Sequence, residues 1–152
     1  MVKFAFDTNL YIRSIREAEF GVRLRDFYAR HSPRMHLCSV VVHELLIGAN
    51  SPERIRDIHD TIVDPAEKKN RIITPTHSAW DRSAQALSAL AVKHRMELGK
   101  ISRSLVNDAL IAASCAEAGV TLLTDNLHDF KRLSERIPVR FAQPWPMDSE
   151  EI

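Results

Sequence analysis

VKFAFDTNLY, residues 2–11, sets an aspartate directly after a run that is apolar apart from Lys3. A short, nearly continuous apolar run is the pattern of a parallel strand covered on both faces. Thr8 and Asn9 do not continue it, and Leu10, Tyr11 and Ile12 begin new core. Asp7 therefore either turns the chain into a helix or holds a carboxylate at a buried strand end for chemistry. In open parallel α/β sheets ligands bind at the C-terminal strand edge, where the strand order reverses.

Outward from this stretch, strands and helices alternate. Phe20, Leu24, Phe27 and Tyr28 recur at helical spacing with Arg23, Arg25 and Arg30 between them. Met35 to Val40 reads as a second strand, with Ser39 placed to cap the helix holding HELLIGA and Gly48 to close it. An amphipathic stretch over 53–63 is expected to end at Asp64-Pro65, and Arg71 to Thr74 to form a strand. Ser78, three residues before Asp81, reads as the cap of a long helix running to about Arg95, with Trp80, Ala84, Leu87 and Ala91 along its buried face. Residues 96–104 read as a loop containing a helix start. A helix over Asn107 to Ala118 ends at Gly119, Val120 to Leu123 forms a strand, and a short helix leads to a last strand at Val139 to Ala142. This order argues an α/β fold with a parallel, doubly wound sheet.

Composition bounds the class. At 152 residues, 45% apolar and 27% charged, the chain fits one globular domain, and four Gly and seven Pro leave no low-complexity linker. A net charge of +1 neither requires nor forbids a nucleic-acid partner. Cys38 and Cys115 lie in apolar segments without a C-x-x-C pair and read as small core residues. No apolar run approaches the roughly 18 residues of a membrane span, so a cytoplasmic location is expected. The tail QPWPMDSEEI is acidic and Pro-interrupted, and reads as solvated.

Four separated segments each deliver an acid to an apolar location: Asp7, Glu44 within VVVHELLIG, Asp108 within NDALIAAS, and Asp125 and Asp129 within LLTDNLHDF. Glu44 shares a helical face with Val41, Leu45 and Gly48 and needs a cation or a donor. Asp108 is expected in the first turn of its helix, where the dipole favours an anion. Singly, each acid has an ordinary structural role as cap, turn residue or ion-pair partner. Together they pose a problem, because two carboxylates about 4 Å apart repel by roughly 4 kcal/mol at an effective dielectric near 20. A shared proton or a hard divalent cation relieves that repulsion. Mg²⁺ or Mn²⁺ suits oxygen donors, whereas zinc asks for His and Cys at set spacings, and the seven histidines are scattered.

The order DTN at 7–9, an acid within SVVVHELLIGA at 39–49, NDALIAA at 107–113 and TDNLHDF at 124–130 resembles a PIN-domain ribonuclease, most closely the VapC toxins of type II toxin-antitoxin pairs. The resemblance runs from about Val2 to Ala142. It implies a three-layer PIN-like fold over residues 1–143, with a central parallel sheet of about four to five strands flanked by helices, and an acidic tail over 144–152. It also implies a metal-dependent endoribonuclease, usually a homodimer silenced by a cognate antitoxin. By position, Asp7, Glu44 and Asp108 match the core acids that hold Mg²⁺ or Mn²⁺. Asn126 falls where many relatives carry a fourth acid, a departure that leaves a second ion open, with Asp125 or Asp129 as lesser sources of charge. Thr8 and Asn9 either orient Asp7, contact substrate or cap the following helix. Arg13, Arg16 and the basic run KHRMELGKISR, residues 93–103 with Lys100 and Arg103, are the candidates for holding RNA phosphates.

Competing readings fit less well. A haloacid-dehalogenase-like D-x-D-x-T motif loses its second acid to Asn9 and its hydroxyl to Tyr11, and a zincin H-E-x-x-H has Ile47 in place of the second histidine. A non-catalytic PIN scaffold binding RNA or protein, or a housekeeping PIN nuclease, remains the alternative.

Overall fold

The computed structural model describes residues 1–95 and 101–145. Its centre is a five-stranded parallel sheet in the order β3-β2-β1-β4-β5, formed by β1 (Lys3–Phe6), β2 (Met35–Cys38), β3 (Ile72–Ile73), β4 (Val120–Leu123) and β5 (Arg140–Ala142). The chain builds outward from β1 through β2 to β3, then crosses to the other side of β1 for β4 and β5. Strand order thus reverses between β1 and β4, which makes that crevice the switch point. The three-layer α/β expectation holds, with five strands.

The helices are α1 (Thr8–Arg16), α2 (Ala18–His31), α3 (Ser39–Gly48), α4 (Pro52–Ile58), α5 (Asp64–Lys68), α6 (His77–Lys93), α7 (Arg103–Ala118) and α8 (Leu127–Ser134). Phe4 and Phe6, two residues apart, share one face of β1. Phe27 of α2 meets both, with ring centroids 5.4 and 6.0 Å away. α7 packs on β2, β3 and β4 and against α3, α6 and α8. Its fully buried run Ala109, Ile111, Ala112, Ala113 and Cys115 is mostly small, which permits close approach. Gly119 closes α7 in the left-handed conformation at φ 65°, as its place in the sequence predicts. Cys38 and Cys115 are free and buried. No described helix is long and apolar enough to cross a membrane.

Several sequence expectations are corrected. Ser39 is the first residue of α3 and donates no cap, since Cys38 holds the cap position. Gly48 is the last helical residue, followed by Ala49 in extended conformation. Asp64-Pro65 does not end the helical stretch: α4 passes through a π turn at His59–Val63 into α5, where Pro65 sits in the first turn and needs no N–H partner. The β3 strand is only Ile72–Ile73 and β5 begins at Arg140. Thr76, not Ser78, caps α6 by accepting from the Ala79 N–H at 3.0 Å. The buried face of α6 is one residue out of phase with the expected one, running through Ala79, Ser83, Ala86, Leu90 and Ala91, while Trp80 is 55% exposed. α7 starts at Arg103 behind a Ser102 cap, a full turn before Asn107. The tail reading fails at Trp145, which packs on Phe20, Phe27 and Phe6 with centroids at 5.3, 5.3 and 6.2 Å.

Candidate active site

The register of the sheet makes the site. Phe6 pairs with Leu123 across β1 and β4, so the next residue of each strand, Asp7 and Thr124, emerges side by side at the C-terminal edge. The ladder continues one step beyond the strands, with the Asp7 N–H donating to the Leu123 carbonyl at 2.9 Å and the Thr124 N–H to Ala142 at 3.0 Å. The Thr124 hydroxyl donates to Asp7 Oδ2 at 2.8 Å and accepts from the Asn126 N–H at 2.9 Å. Asp7 Oδ1 accepts from the Thr8 N–H at 2.8 Å. Asp7 is therefore the α1 cap and a site carboxylate at once, 1% exposed.

Thr8 carries the network to the third element. Its hydroxyl donates to Glu44 Oε1 at 2.7 Å, supplying the donor that a half-buried glutamate on an apolar helix needs. Asp108 arrives from α7. Because that helix begins at Arg103, Asp108 lies in its second turn and not at the N-terminal end, so the helix dipole does little for its charge. It is 5% exposed and accepts from the Asn126 side-chain amide at 3.1 Å. The same nitrogen donates to Asp129 at 3.0 Å, and Asp129 also accepts from Arg132 at 2.5 Å.

Electrostatics shows the strain of this gathering. Burial pushes the Asp7 carboxyl up from 3.8 to about 6, with Glu44 and Asp125 raising it further against the hydrogen bonds from Thr124 and Thr8. Burial pushes Asp108 from 3.8 to about 8, and the charges of Asp7, Asp129 and Glu44 add to it. Asp129 behaves oppositely: burial raises it, but the hydrogen bonds from Asn126 and Arg132 and the Arg132 charge outweigh that and hold it below the usual carboxylate range.

The structure brings Asp7, Glu44, Asp108, Asn126 and Asp129 to one place and leaves others out. Asp125 is exposed and paired with Arg13 at 3.3 Å. Arg13 is also bound to Glu17 at 3.0 Å and lies 4.1 Å over the Phe20 ring, so its guanidinium is already engaged. Asn9, Arg16 and Arg103 are exposed, Lys93 pairs with Glu135 at 2.9 Å, and Lys100 lies outside the described residues. Thr124 and Arg132 are site residues that sequence reasoning did not single out. Thr124 follows the apolar run VTLL, as Asp7 follows KFAF, and that symmetry was the available signal.

Among the described residues no three His, Cys, Asp or Glu side chains are gathered tightly enough to chelate an ion by themselves. The donor set nevertheless fits a hard divalent cation. It is all oxygen, it centres on two buried carboxylates that resist ionisation together, and Mg²⁺ is commonly held by one or two carboxylates with water completing its shell.

The same fold is found in solved structures. One chain of the DNA-bound VapBC complex of Salmonella typhimurium superposes with a TM-score of 0.66 at 24% identity, covering 94% of this chain and 98% of that one. A chain of FitAcB from Neisseria gonorrhoeae gives 0.65 at 19% identity, covering 95% and 99%. VapBC2 of Rickettsia felis, bound to a promoter DNA fragment, gives 0.62 at 20% identity, covering 94% and 98%. Comparison with curated protein sequences gives no match. The PIN domain family profile matches residues 4–136, a span that takes in the Asp7, Glu44, Asp108 and Asn126 segments. The chain belongs to the PIN domain family.

Proposed function

We propose that this protein is an endoribonuclease dependent on Mg²⁺ or Mn²⁺, acting in the cytoplasm as the toxin of a toxin-antitoxin pair. The observation that carries the reading is the burial of Asp7 and Asp108, remote in sequence, in one hydrogen-bonded network at the switch point, where the charge of Asp7 adds to the burial that raises the Asp108 pKa. Such a pair is costly when both members are ionised, unless a cation offsets the charge. Resemblance of the acid order to nucleases, and of the fold to chains from VapBC and FitAcB complexes, supports the same reading. A bound divalent ion supplies activation of the attacking water and relief of charge building on the phosphoryl oxygens.

The protein's own residues prepare that chemistry. Asp7 and Asp108 are the ligating carboxylates, and Thr124 and Thr8 fix the Asp7 plane by bonding both of its oxygens. Glu44 is held by Thr8 with one oxygen bonded, leaving the other to hold the ion or orient water. Asn126 fixes Asp108 without adding charge. No side-chain nucleophile is required. Arg16 and Arg103, both exposed, remain candidates for phosphate contacts, whereas Arg13 contributes through the Asp125 turn. An antitoxin and a second copy of the chain are the expected protein partners, and exposed Ile15, Val22, Ile47, Trp80 and Val92 offer apolar surface for them.

The test uses purified protein and RNA. Mg²⁺ or Mn²⁺ should support cleavage, EDTA should abolish it, and Asp7→Asn or Asp108→Asn should remove it while circular dichroism stays native. Cleavage unchanged in both variants would refute the site.

A further inference from the structure

Asp129 differs from Asp7 and Asp108 in being tied to a cation of the chain itself. Its Oδ1 accepts from Arg132 Nη2 at 2.5 Å and its Oδ2 from Asn126 Nδ2 at 3.0 Å, so both oxygens are engaged by donors of the chain itself. Arg132 and Asp129 are both about three-quarters buried, at 27% and 25% side-chain exposure, which makes the pair less screened than a surface bridge. Among the described residues Arg132 Nε is buried without a hydrogen-bond partner, and the bond from Nη2 to Asp129 is what ties the guanidinium to the cluster. From Asp129 the path runs through a single nitrogen: Asn126 Nδ2 donates to Asp129 and, at 3.1 Å, to Asp108 Oδ2. An amide free to rotate loses its hold on Asp108 whenever it turns its carbonyl inward.

We propose that Arg132 is a positioning residue which, through Asp129, locks the Asn126 amide against Asp108, and that Asp129 is the anchor of this lock and not a ligand of the divalent ion. The lock itself is a property of the metal-free chain, while its consequence for the ion rests on the reading of the site given above. Charge arithmetic makes the two roles of Asp129 separable. If Asp129 were a ligand, Arg132 would compete with the ion for it, and Arg132→Gln would tighten cation binding. If Arg132 acts through Asn126, the same change loosens Asp108 and weakens binding, in the manner of outer-shell substitutions that cost roughly 10- to 100-fold in metal affinity.

The experiment has two arms, each on the full chain with folding checked by thermal denaturation. In metal-free protein, the Asn126 side-chain amide is followed by ¹H-¹⁵N NMR. Wild type should show two separated, exchange-protected protons, and Arg132→Gln should collapse them toward the values of a free amide; unmoved resonances overturn the lock. In the second arm Mn²⁺ affinity is measured by electron paramagnetic resonance. Arg132→Gln should weaken it about tenfold. In an Asn126→Ala background the same change should have little further effect, since the two act as one unit. Tighter binding, or a full effect without Asn126, overturns the proposal. Asp129→Asn, which still accepts from Asn126, should lose no more than about tenfold, whereas loss of all binding marks Asp129 as a ligand and overturns it. If wild type takes up no Mn²⁺, the divalent reading of the site fails, and the NMR arm still decides the lock.

Discussion

Replacing Asp108 by Asn should make the metal-free protein more stable, although it removes a central residue of the site. Asp108 is 5% exposed and its carboxyl is pushed from 3.8 to about 8 by burial and by Asp7, Asp129 and Glu44. A carboxyl whose folded pKa lies above its unfolded one favours the fold below the unfolded value, and that contribution is lost as pH rises through the folded value. At pH 7 the unfolded chain has released the proton and the folded chain retains it. At roughly 1.36 kcal/mol per pH unit, this costs the metal-free fold up to about 4 kcal/mol. Asn keeps the shape and still accepts from Asn126, but it must place its own amide protons, so a gain of about 2 kcal/mol is expected. For a chain of this size that is a rise in Tm of roughly 4–8 °C. Saturating Mg²⁺ should reverse the order, since an ion at a hundred times its Kd stabilises the wild type by about 2.7 kcal/mol and the variant far less. Thermal denaturation at pH 5, 7 and 9, in EDTA and in Mg²⁺, checks both halves. Metal-free wild type should lose stability from pH 5 to 9 and Asp108→Asn should flatten that slope. A variant less stable than wild type in EDTA at pH 7, or equally stabilised by Mg²⁺, would refute the reasoning.

Asp7→Asn should lower Mn²⁺-supported RNA cleavage by about 100-fold or more, measured by gel assay of a labelled RNA, with Tm near native because relief of the raised carboxyl is offset by placing an N–H group where one of two acceptor oxygens met Thr8 or Thr124. Thr124→Val removes the donor to Asp7 Oδ2 and the acceptor for the Asn126 N–H. It should cost about 1–3 kcal/mol in urea denaturation and lower cleavage about tenfold or more, while Thr124→Ser restores most of both. Trp145→Ala empties the space beside Phe20 and Phe27, and should cost about 1–3 kcal/mol without changing Mn²⁺ affinity, which calorimetry reports.

Legibility in the sequence followed the kind of force at work. The strand ending at Asp7 and the Gly119 stop were readable because apolar runs and a left-handed cap are local signals. The start of α7 was not: its first turn, Arg103 and Ser104 behind Ser102, is polar, and the buried stripe begins only at Leu105. The phase of α6 misled because Trp80 looks like core, while the observed face uses Ala79 and Ala86, small enough for close packing on α7. Trp145 misled in reverse, since its flanking prolines and acids read as solvent although an aromatic pocket receives the ring. Of the acidic cluster, the carboxylates were legible as polar residues in apolar surroundings. Their partners were not, because Thr124 meets Asp7 only through the β1–β4 register, and Arg132 matters only through Asp129.

Crystals grown with Mn²⁺ and measured at a wavelength where manganese scatters anomalously would locate the ion directly. The account predicts a peak at the β1–β4 switch point in contact with Asp7 and Asp108, with Asp129 still on Arg132. Manganese bound elsewhere, or none at that crevice at saturating concentration, would contradict it.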